Sequence, residues 1–391
     1  MTKVLVTDAH HRKALSAVRS LGKEGIEVIA GAADKMSMTR FSKYCTSLFT
    51  YPDPYVEPDK FITFMLDYIQ DDDFDVLLPM DDITVELFAK HLDEFVSYVN
   101  LPIPDYDTFL KGRDKGKTIK KAIDTGVPAP DTYFIDDLDQ IKDLKEKIEY
   151  PVVIKPRISS GSRGITYVKK KDDLITSYQQ VHKDFPYPLL QEFIPQTGRK
   201  FQVLLLIDET GNIKGSCIQE LLRQFPVNGG PGTLYKTISY PELKEISADF
   251  LREIDWYGIA CVEYITDPRT GNPKFMEINP RFWGTLNLSL QVGVNFPYLL
   301  AQLALDKEID SVHNSAEDEY CQWLLPGDFL NFIFNPQRFS QEINYFFNQP
   351  DDFYYAILSS SDPWPSFGAV ISLLRDSFKL EKLKDVFGRG K

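Results

Sequence analysis

Cysteine is scarce in this sequence. Only four occur in 391 residues: Cys45, Cys217, Cys261 and Cys321, far apart and with no C-x-x-C pair. That spacing offers no structural zinc site and fits a reducing compartment rather than a disulfide framework. Long hydrophobic runs are missing as well: no stretch approaches the ~20 apolar residues that span a bilayer. The chain opens Met1-Thr2-Lys3-Val4-Leu5-Val6, straight into a strand pattern, so no secretory leader is expected and the cytoplasm is the expected location. Positive charge is in deficit, 44 Lys and Arg against 57 Asp and Glu for a net −13, which argues against nucleic acid or an anionic membrane as partner. There is no internal repeat, no low-complexity segment, no Ser-His-Asp set and no suitable Cys-His pair. What remains is ordinary globular composition, long enough for two to four domains.

Residues 1 to about 110 alternate strands and helices. Strand patterns at Val4–Val6, Glu27–Gly31 and Asp75–Pro79 are separated by helical ones at His11–Leu21 and Phe61–Ile69, and Ile83–Phe95 follows. This β-α-β order predicts a doubly wound parallel sheet, which binds ligands at the carboxyl ends of its strands. Asp8, His10 and His11 follow the first strand there, and Asp81 and Asp82 follow Pro79. The G-x-G-x-x-G dinucleotide fingerprint is absent after Val6. His10 and His11 are read as a solvated loop.

Gly112-Arg113-Asp114-Lys115-Gly116-Lys117-Thr118 imitates a phosphate-binding P-loop but has three residues between its glycines where the motif needs four. No strand leads into it. It reads instead as a helix with Asp114 as N-cap and Gly126 as terminator. Ile119, Ala122 and Ile123 would form its inner stripe, with Lys115 at the edge of that stripe and Lys117 in solvent. Pro151-Val152-Val153-Ile154-Lys155-Pro156 puts a lysine in an apolar strand, where it needs an anion partner. The loop Ile158–Gly164 follows, then a strand at Ile165–Val168. Small residues let backbone N–H groups approach a ligand, so Ser160, Gly161, Ser162 and Gly164 favour a phosphate cradle over a plain hairpin loop.

Further on, Leu189–Ile194 and Phe201–Ile207 are strands. Arg223 precedes a polar Gly-rich loop, Asn228–Gly232, of a kind that closes over substrates. Glu242–Ile254 is an amphipathic helix, and Trp283–Leu305 is mostly helical. The tail from 306 carries aromatics and prolines but no legible motif; it is expected to cover a site or form an interface.

Between these lies a dense turn, Asp267–Pro273, flanked by strand patterns at Ile259–Ile265 and Lys274–Arg281, hence a β-hairpin. Side chains on a strand repeat every two residues, so Glu277, Asn279 and Arg281 share one face. Symmetry about Thr270 puts Glu263 opposite Glu277. Opposed like charges destabilise a sheet. Either this is a surface hairpin with a polar outer face, or two carboxylates and an amide oxygen make a nest for Mg²⁺ that relieves the repulsion. By this argument Glu277→Gln should keep or slightly raise the melting temperature of the metal-free protein.

Taken in order over about 1–305, these pieces resemble the ATP-grasp superfamily, and within it the carbamoyl-phosphate-synthase-like and biotin-carboxylase-like carboxylate–amine ligases. Asp114-Lys115 and Val153-Ile154-Lys155-Pro156 resemble that family's two nucleotide lysines, and Ser159–Gly164 its glycine-rich flap. Gln191-Glu192-Phe193-Ile194 resembles the adenine linker, where backbone groups of Glu192 and Ile194 would read the base. Glu263, Glu277 and Asn279 resemble the metal ligands, and Arg281 the phosphate-holding arginine of Glu-x-Asn-x-Arg. Lys200 stands where the family usually puts an acid on the ribose.

The resemblance implies an α/β chain: a doubly wound domain at 1–110, an ATP-lid subdomain at 111–190, an antiparallel-sheet ATP-grasp core at 191–305 and an extension at 306–391. It implies ATP and Mg²⁺ (or Mn²⁺) as cofactors. It further implies phosphorylation of a small-molecule carboxylate, then attack by an amine, with Arg281 on the transferring phosphoryl and Arg223 on the acyl phosphate. An amino acid, a short peptide or a peptidyl cell-wall precursor would fit as substrate. A homo-oligomer is compatible with this reading. The alternatives are an ATP-binding regulatory protein without turnover and an ATP-dependent carboxylase.

Overall fold

A computed structural model describes residues 1–159, 161, 163–227 and 229–377. Ser160 and Ser162, two of the expected phosphate-loop residues, lie outside the described residues, as does Asn228.

Three sheets organise the chain. The first contains β1 (Lys3–Val6), β2 (Glu27–Ala32), β3 (Ser47–Thr50) and β4 (Val76–Leu78) in the order β3-β2-β1-β4. All of its pairings are parallel, as the β-α-β pattern requires. Val4 and Val6 face one core, and Leu5 faces another with Phe61, Met65 and Phe88, so both faces are covered. This is why the strands read as continuous apolar runs. Edge strand β3 was not legible, because Ser47-Leu48-Phe49-Thr50 is only partly buried.

The second sheet is small: β5 (Thr132–Tyr133), β6 (Val152–Lys155), β7 (Thr166–Val168) and β8 (Leu189–Glu192), in the order β5-β8-β6-β7. The third and largest holds β9 (Lys200–Ile207), β10 (Ile213–Gln224), β11 (Gly232–Thr237), β12 (Gly258–Thr266), β13 (Pro273–Asn279), β14 (Val312–His313), β15 (Tyr320–Gln322) and β16 (Phe353–Tyr355). Its order is β13-β12-β9-β10-β11-β15-β16, with β14 beside β10. The tail therefore extends this sheet through β14, β15 and β16.

Helix Lys115–Asp124 lies where its N-cap signal puts it. The Asp114 carboxylate accepts from the N–H groups of Gly116 and Lys117, and Gly126 ends the segment at φ 78°, a conformation glycine adopts at no steric cost. Ile119 and Ala122 pack into the core of the large sheet with Val262, Phe275 and Ile278. Ile123, expected on the same stripe, is 46% exposed instead, because the helix buries a narrower face. Among the described residues no helix is long and apolar enough to cross a membrane.

Candidate active site

The three sheets and the tail converge on one cleft of about 700 Å³. The hairpin β12–β13 forms its floor. Glu263 pairs in register with Glu277, and Cys261 with Asn279, so both carboxylates and the amide stand on one face. On the neighbouring strand Gln202 lies opposite Glu263 and donates its amide N–H to Glu263 Oε1 at 2.9 Å. Asn279 donates to the same oxygen at 3.1 Å.

The two acids are not equivalent. Burial, then repulsion from Glu277, pushes the Glu263 carboxyl up to about 7. Burial also opposes ionisation of Glu277, but the ammonium groups of Lys115 and Lys155 overcome it and hold that carboxyl down at about 2. Lys115 Nζ sits 3.0 Å from Glu277 Oε2 and donates to the Ser159 carbonyl at 3.0 Å. Lys155 Nζ donates to the Met276 carbonyl at 3.0 Å. Burial depresses Lys155 to about 8 in spite of Glu277.

The sequence places these groups through local structure. Asp114 not only caps its helix but takes two bonds from the Arg157 guanidinium, both 3.0 Å. That pair fastens the segment after β6 to the start of the helix, and Lys115 points from the helix's first turn into the cleft. Gly161, with φ 61°, lines the cleft from the same segment. Gly164 does not. Its φ is 74°, and a Cβ there would meet Phe185 at 2.5 Å and Pro156 at 2.7 Å, so it shapes the loop.

Gln191, Glu192 and Ile194 also line the cleft. The Glu192 N–H is already donated to Asp131 at 2.8 Å, and its carboxylate is paired with Arg269. Phe193 is a correction: it lies outside the lining and packs edge-on against Tyr167, centroids 5.6 Å apart, while Tyr167 faces the cleft. Arg223 is a second correction. Its guanidinium takes both oxygens of Asp328, at 3.0 and 2.5 Å, and the pair is buried, at 4% and 0% exposure. The cause is a bulge in β10: Leu221 pairs with Tyr235 but Arg223 pairs with Leu234. The extra residue puts Leu221 and Gln224 on the cleft face and Arg223 off it.

Arg281 does reach the cleft. Its Nε lies 3.1 Å from Asp82 Oδ1. Burial disfavours its charge, and Asp82 and Asp81 more than restore it. Asp82 follows β4, so the parallel sheet supplies the facing wall. His10 and His11, read from sequence as a solvated loop, line that wall with Arg12 and Lys13. Arg12 staples three parts together: its Nε donates to the Gly284 carbonyl at 2.7 Å, and its guanidinium lies 3.9 Å over the Trp323 ring of the tail. The signal for this wall was present, since both segments sit at carboxyl ends of parallel strands. Lys200 lines the cleft too, within 3.3 Å of Gln224 Oε1.

The donor set fits a Mg²⁺ ion. Two opposed carboxylates and an amide oxygen are hard oxygen ligands, and Mg²⁺ is usually held by one or two carboxylates plus substrate phosphates. Among the described residues no cluster of three His, Cys, Asp or Glu side chains could hold a metal, so bound phosphate oxygens would have to complete the shell.

A cleft between a small and a large sheet, with a lysine from each side and opposed acids on a hairpin floor, defines the ATP-grasp class. Residues 113–311 match the family described as "Carbamoyl-phosphate synthase L chain, ATP binding domain", and the chain belongs to that family. ATP and Mg²⁺, the cofactors expected from the sequence, are in line with it.

Curated relatives include acetyl-CoA carboxylase 2 of Oryza sativa subsp. japonica, 29% identical over 139 residues. That match covers 34% of this chain and 6% of the rice protein. The C-terminal section of the carbamoyl phosphate synthase large chain of Methanopyrus kandleri is 25% identical over 218 residues, 54% of this chain and 40% of that protein. The chain thus spans well under half the length of these relatives. Among solved structures, Campylobacter jejuni biotin carboxylase superposes with a TM-score of 0.68 at 17% identity, covering 79% of this chain and 72% of that one. Staphylococcus aureus N5-carboxyaminoimidazole synthetase gives 0.63 at 13%, covering 80% and 79%. At these identities the likeness concerns the fold.

Proposed function

We propose that the chain is an ATP-dependent ligase. It transfers the γ-phosphoryl of ATP to a small-molecule carboxylate, and the acyl phosphate is then attacked by an amine with release of phosphate. The observation that carries this reading is the opposition of Glu263 and Glu277 beside Lys115 and Lys155, with Arg281 lining the same cleft.

Each group has a task in that reaction. Lys115 and Lys155 neutralise phosphate oxygens and release Glu277 from its present pairing as they do so. Glu263, Glu277 and Asn279 would hold Mg²⁺, which would supply neutralisation of phosphate charge when bound. Arg281, fixed by Asp82, stabilises the phosphoryl group in flight. No protein nucleophile is needed, since positioning and electrostatics supply most of the rate. Ser159, Gly161 and Arg163 on one side and Gly229, Gly230, Pro231 and Gly232 on another border the cleft and exclude water from the acyl phosphate.

A second reading shares the first step. The relatives named above include an acetyl-CoA carboxylase, and bicarbonate is itself a carboxylate that ATP can phosphorylate. A phosphate-release assay with Mg-ATP separates the two readings, run with bicarbonate alone and with pooled amino acids and peptides. The ligase reading expects release that needs an organic acid and an amine together. Phosphorus NMR should show ADP and phosphate; accumulation of AMP and pyrophosphate would refute the acyl-phosphate route.

A further inference from the structure

Lys13, Lys115 and Arg281 in the cleft each have a carboxylate partner: Asp81, Glu277 and Asp82 in turn. Arg12 has none among the described residues. It donates to the carbonyls of Gly284 and Gly232 and lies over the Trp323 ring, all of them uncharged. Its Nη1 donates to nothing among the described residues. Burial lowers its pKa to about 10, with Arg281 adding to the effect, so it is a cation at pH 7. The groups whose negative charge would support it are Tyr235 and Cys321. Burial pushes both of these up, Cys321 to about 12, so both are neutral at that pH. A charge sheltered from water without a counter-ion is costly. The position adds to the cost: a cation in the first turn of a helix opposes the dipole, and the first turn of helix Arg12–Lys23 holds no acid.

Two features hold the guanidinium in this place. Gly284 leaves room for it: a Cβ there would meet Arg12 Nη2 at 2.5 Å and Cζ at 3.1 Å. Asp8 fixes the turn from which the helix starts. It adopts a left-handed backbone, φ 55°, which is unfavourable for a residue other than glycine, and its carbonyl accepts from the His11 N–H at 2.8 Å. Its buried carboxylate accepts from the hydroxyls of Thr7, Tyr51 and Thr84 and from the N–H groups of Met80 and Asp81. One side chain thereby clamps the end of β1 to the end of β4. Around Arg12 the cleft is apolar. Met38, Leu221, Tyr235 and Trp323 pack in one hydrophobic cluster with Leu15 of the same helix, and all four line the cleft.

We propose that Arg12 binds the carboxylate of the substrate acid, and that the body of this acid is apolar and lies against Met38, Leu221 and Trp323. The inference rests on the ligase reading and adds to it the seat and chemical class of the acid. An incoming carboxylate supplies the counter-ion that Arg12 lacks, and a guanidinium matches a carboxylate through paired hydrogen bonds. One carboxylate oxygen attacks the γ-phosphorus. The bond from that phosphorus to the β–γ bridging oxygen breaks, and ADP leaves with the electron pair. The phosphates already have Lys115, Lys155 and Arg281 in this reaction, and apolar walls suit an organic acid better than a phosphate. Through Trp323 the tail becomes one wall of the substrate site.

The test traps the acyl phosphate as a hydroxamate, using the full chain with Mg-ATP and hydroxylamine. One set of acids is leucine, phenylalanine and the dipeptides of alanine with each; the other is serine, aspartate and the dipeptides of alanine with each. The wild type should favour the first set by about tenfold or more in kcat/KM. Arg12→Met should raise KM for the preferred acid by roughly 10- to 100-fold, the worth of a charged hydrogen bond. Its Mg-ATP affinity, measured by calorimetry, should stay within about threefold. Arg12→Lys keeps the charge without the fork and should recover part of the loss. If Arg12→Met does not fold, Gly284→Ala makes the same test, because its Cβ displaces the guanidinium with the charge kept: KM for the acid should rise and Mg-ATP affinity should not change. A normal KM in the folded variant would leave Arg12 a structural staple and overturn the proposal. Equal weakening of acid and Mg-ATP would place it on the nucleotide and overturn the proposal too. A wild type that uses polar acids, or others of the wider pool, in preference to the first set would overturn it while the ligase reading stands. A wild type that forms no hydroxamate from any acid would refute the ligase reading itself, and this inference with it.

Discussion

Replacing one acid of the hairpin should have an effect opposite to that of replacing the other. Glu263 carries the cost of the opposition, because its carboxyl is raised from an ordinary 4.5 to about 7. Between those two pH values the folded protein holds a proton that the unfolded chain has released. Stability tied to this group is therefore fully present below pH 4.5 and lost as pH rises through 7. The raised carboxyl costs roughly 3 kcal/mol of stability at pH 8, where it is ionised, and about 1 kcal/mol at pH 5, where the folded protein must hold its proton, at 1.36 kcal/mol per pH unit. Glu263→Gln keeps an oxygen for Gln202 and Asn279 to donate to, and removes the charge. In EDTA at pH 8 its melting temperature should rise by roughly 5 °C, and at pH 5 by much less.

Glu277 works the other way. Its carboxyl is held at about 2 by Lys115 and Lys155, so its contribution is present above pH 4.5 and lost as pH falls through 2. Glu277→Gln strands a buried lysine pair and should cost roughly 3 kcal/mol at neutral pH. This reverses the expectation that relieving repulsion at Glu277 would stabilise the metal-free protein: the register was right, but the lysines decide which acid bears the strain. Both variants should lose most of the stabilisation that Mg-ATP gives the wild type, about 2.7 kcal/mol at a hundredfold excess over Kd. Differential scanning calorimetry with EDTA and with Mg-ATP measures all of this. A Glu263→Gln protein that melts lower in EDTA at pH 8, or that keeps the full Mg-ATP stabilisation, would refute the reasoning.

Lys155→Ala should weaken Mg-ATP binding by roughly 10- to 100-fold, the worth of one charged hydrogen bond, while the protein stays folded; calorimetric titration checks it, and unchanged affinity removes Lys155 from the nucleotide site. Arg223→Ala should cost about 3–5 kcal/mol by leaving Asp328 buried and unpaired, with phosphate release per folded molecule unaltered; urea unfolding beside the activity assay separates stability from turnover. Asp8→Asn should destabilise the protein by roughly 1–3 kcal/mol, since an amide turns an N–H toward donors that need an acceptor, and should lower ligation more than ADP binding.

Legibility in the sequence followed the range of the interaction. Local signals were sufficient where one element decides the outcome. Asp114 and Gly126 bounded their helix by capping chemistry; Glu263 stands opposite Glu277 as symmetry about Thr270 predicts, although a bulge between Glu263 and Tyr264 intervenes between that pair and the turn. Arg223 failed because strand alternation was carried through a bulge that no residue announces; the two-versus-one pairing depends on how β11 meets β10. Phe193 is off the cleft for a related reason: Tyr167, from the edge strand of the same small sheet, lines the cleft, and Phe193 packs edge-on against it. His10 and His11 are a different case. A polar loop after a strand reads as solvated, and His10 is exposed, but the space it faces is a cleft lined by segments far apart in sequence. The one sequence-level clue was topological. Asp8 and Asp81 both sit at carboxyl ends of parallel strands, and the buried Asp8 carboxylate that joins those ends is what turns two solvated-looking loops into a single rigid wall.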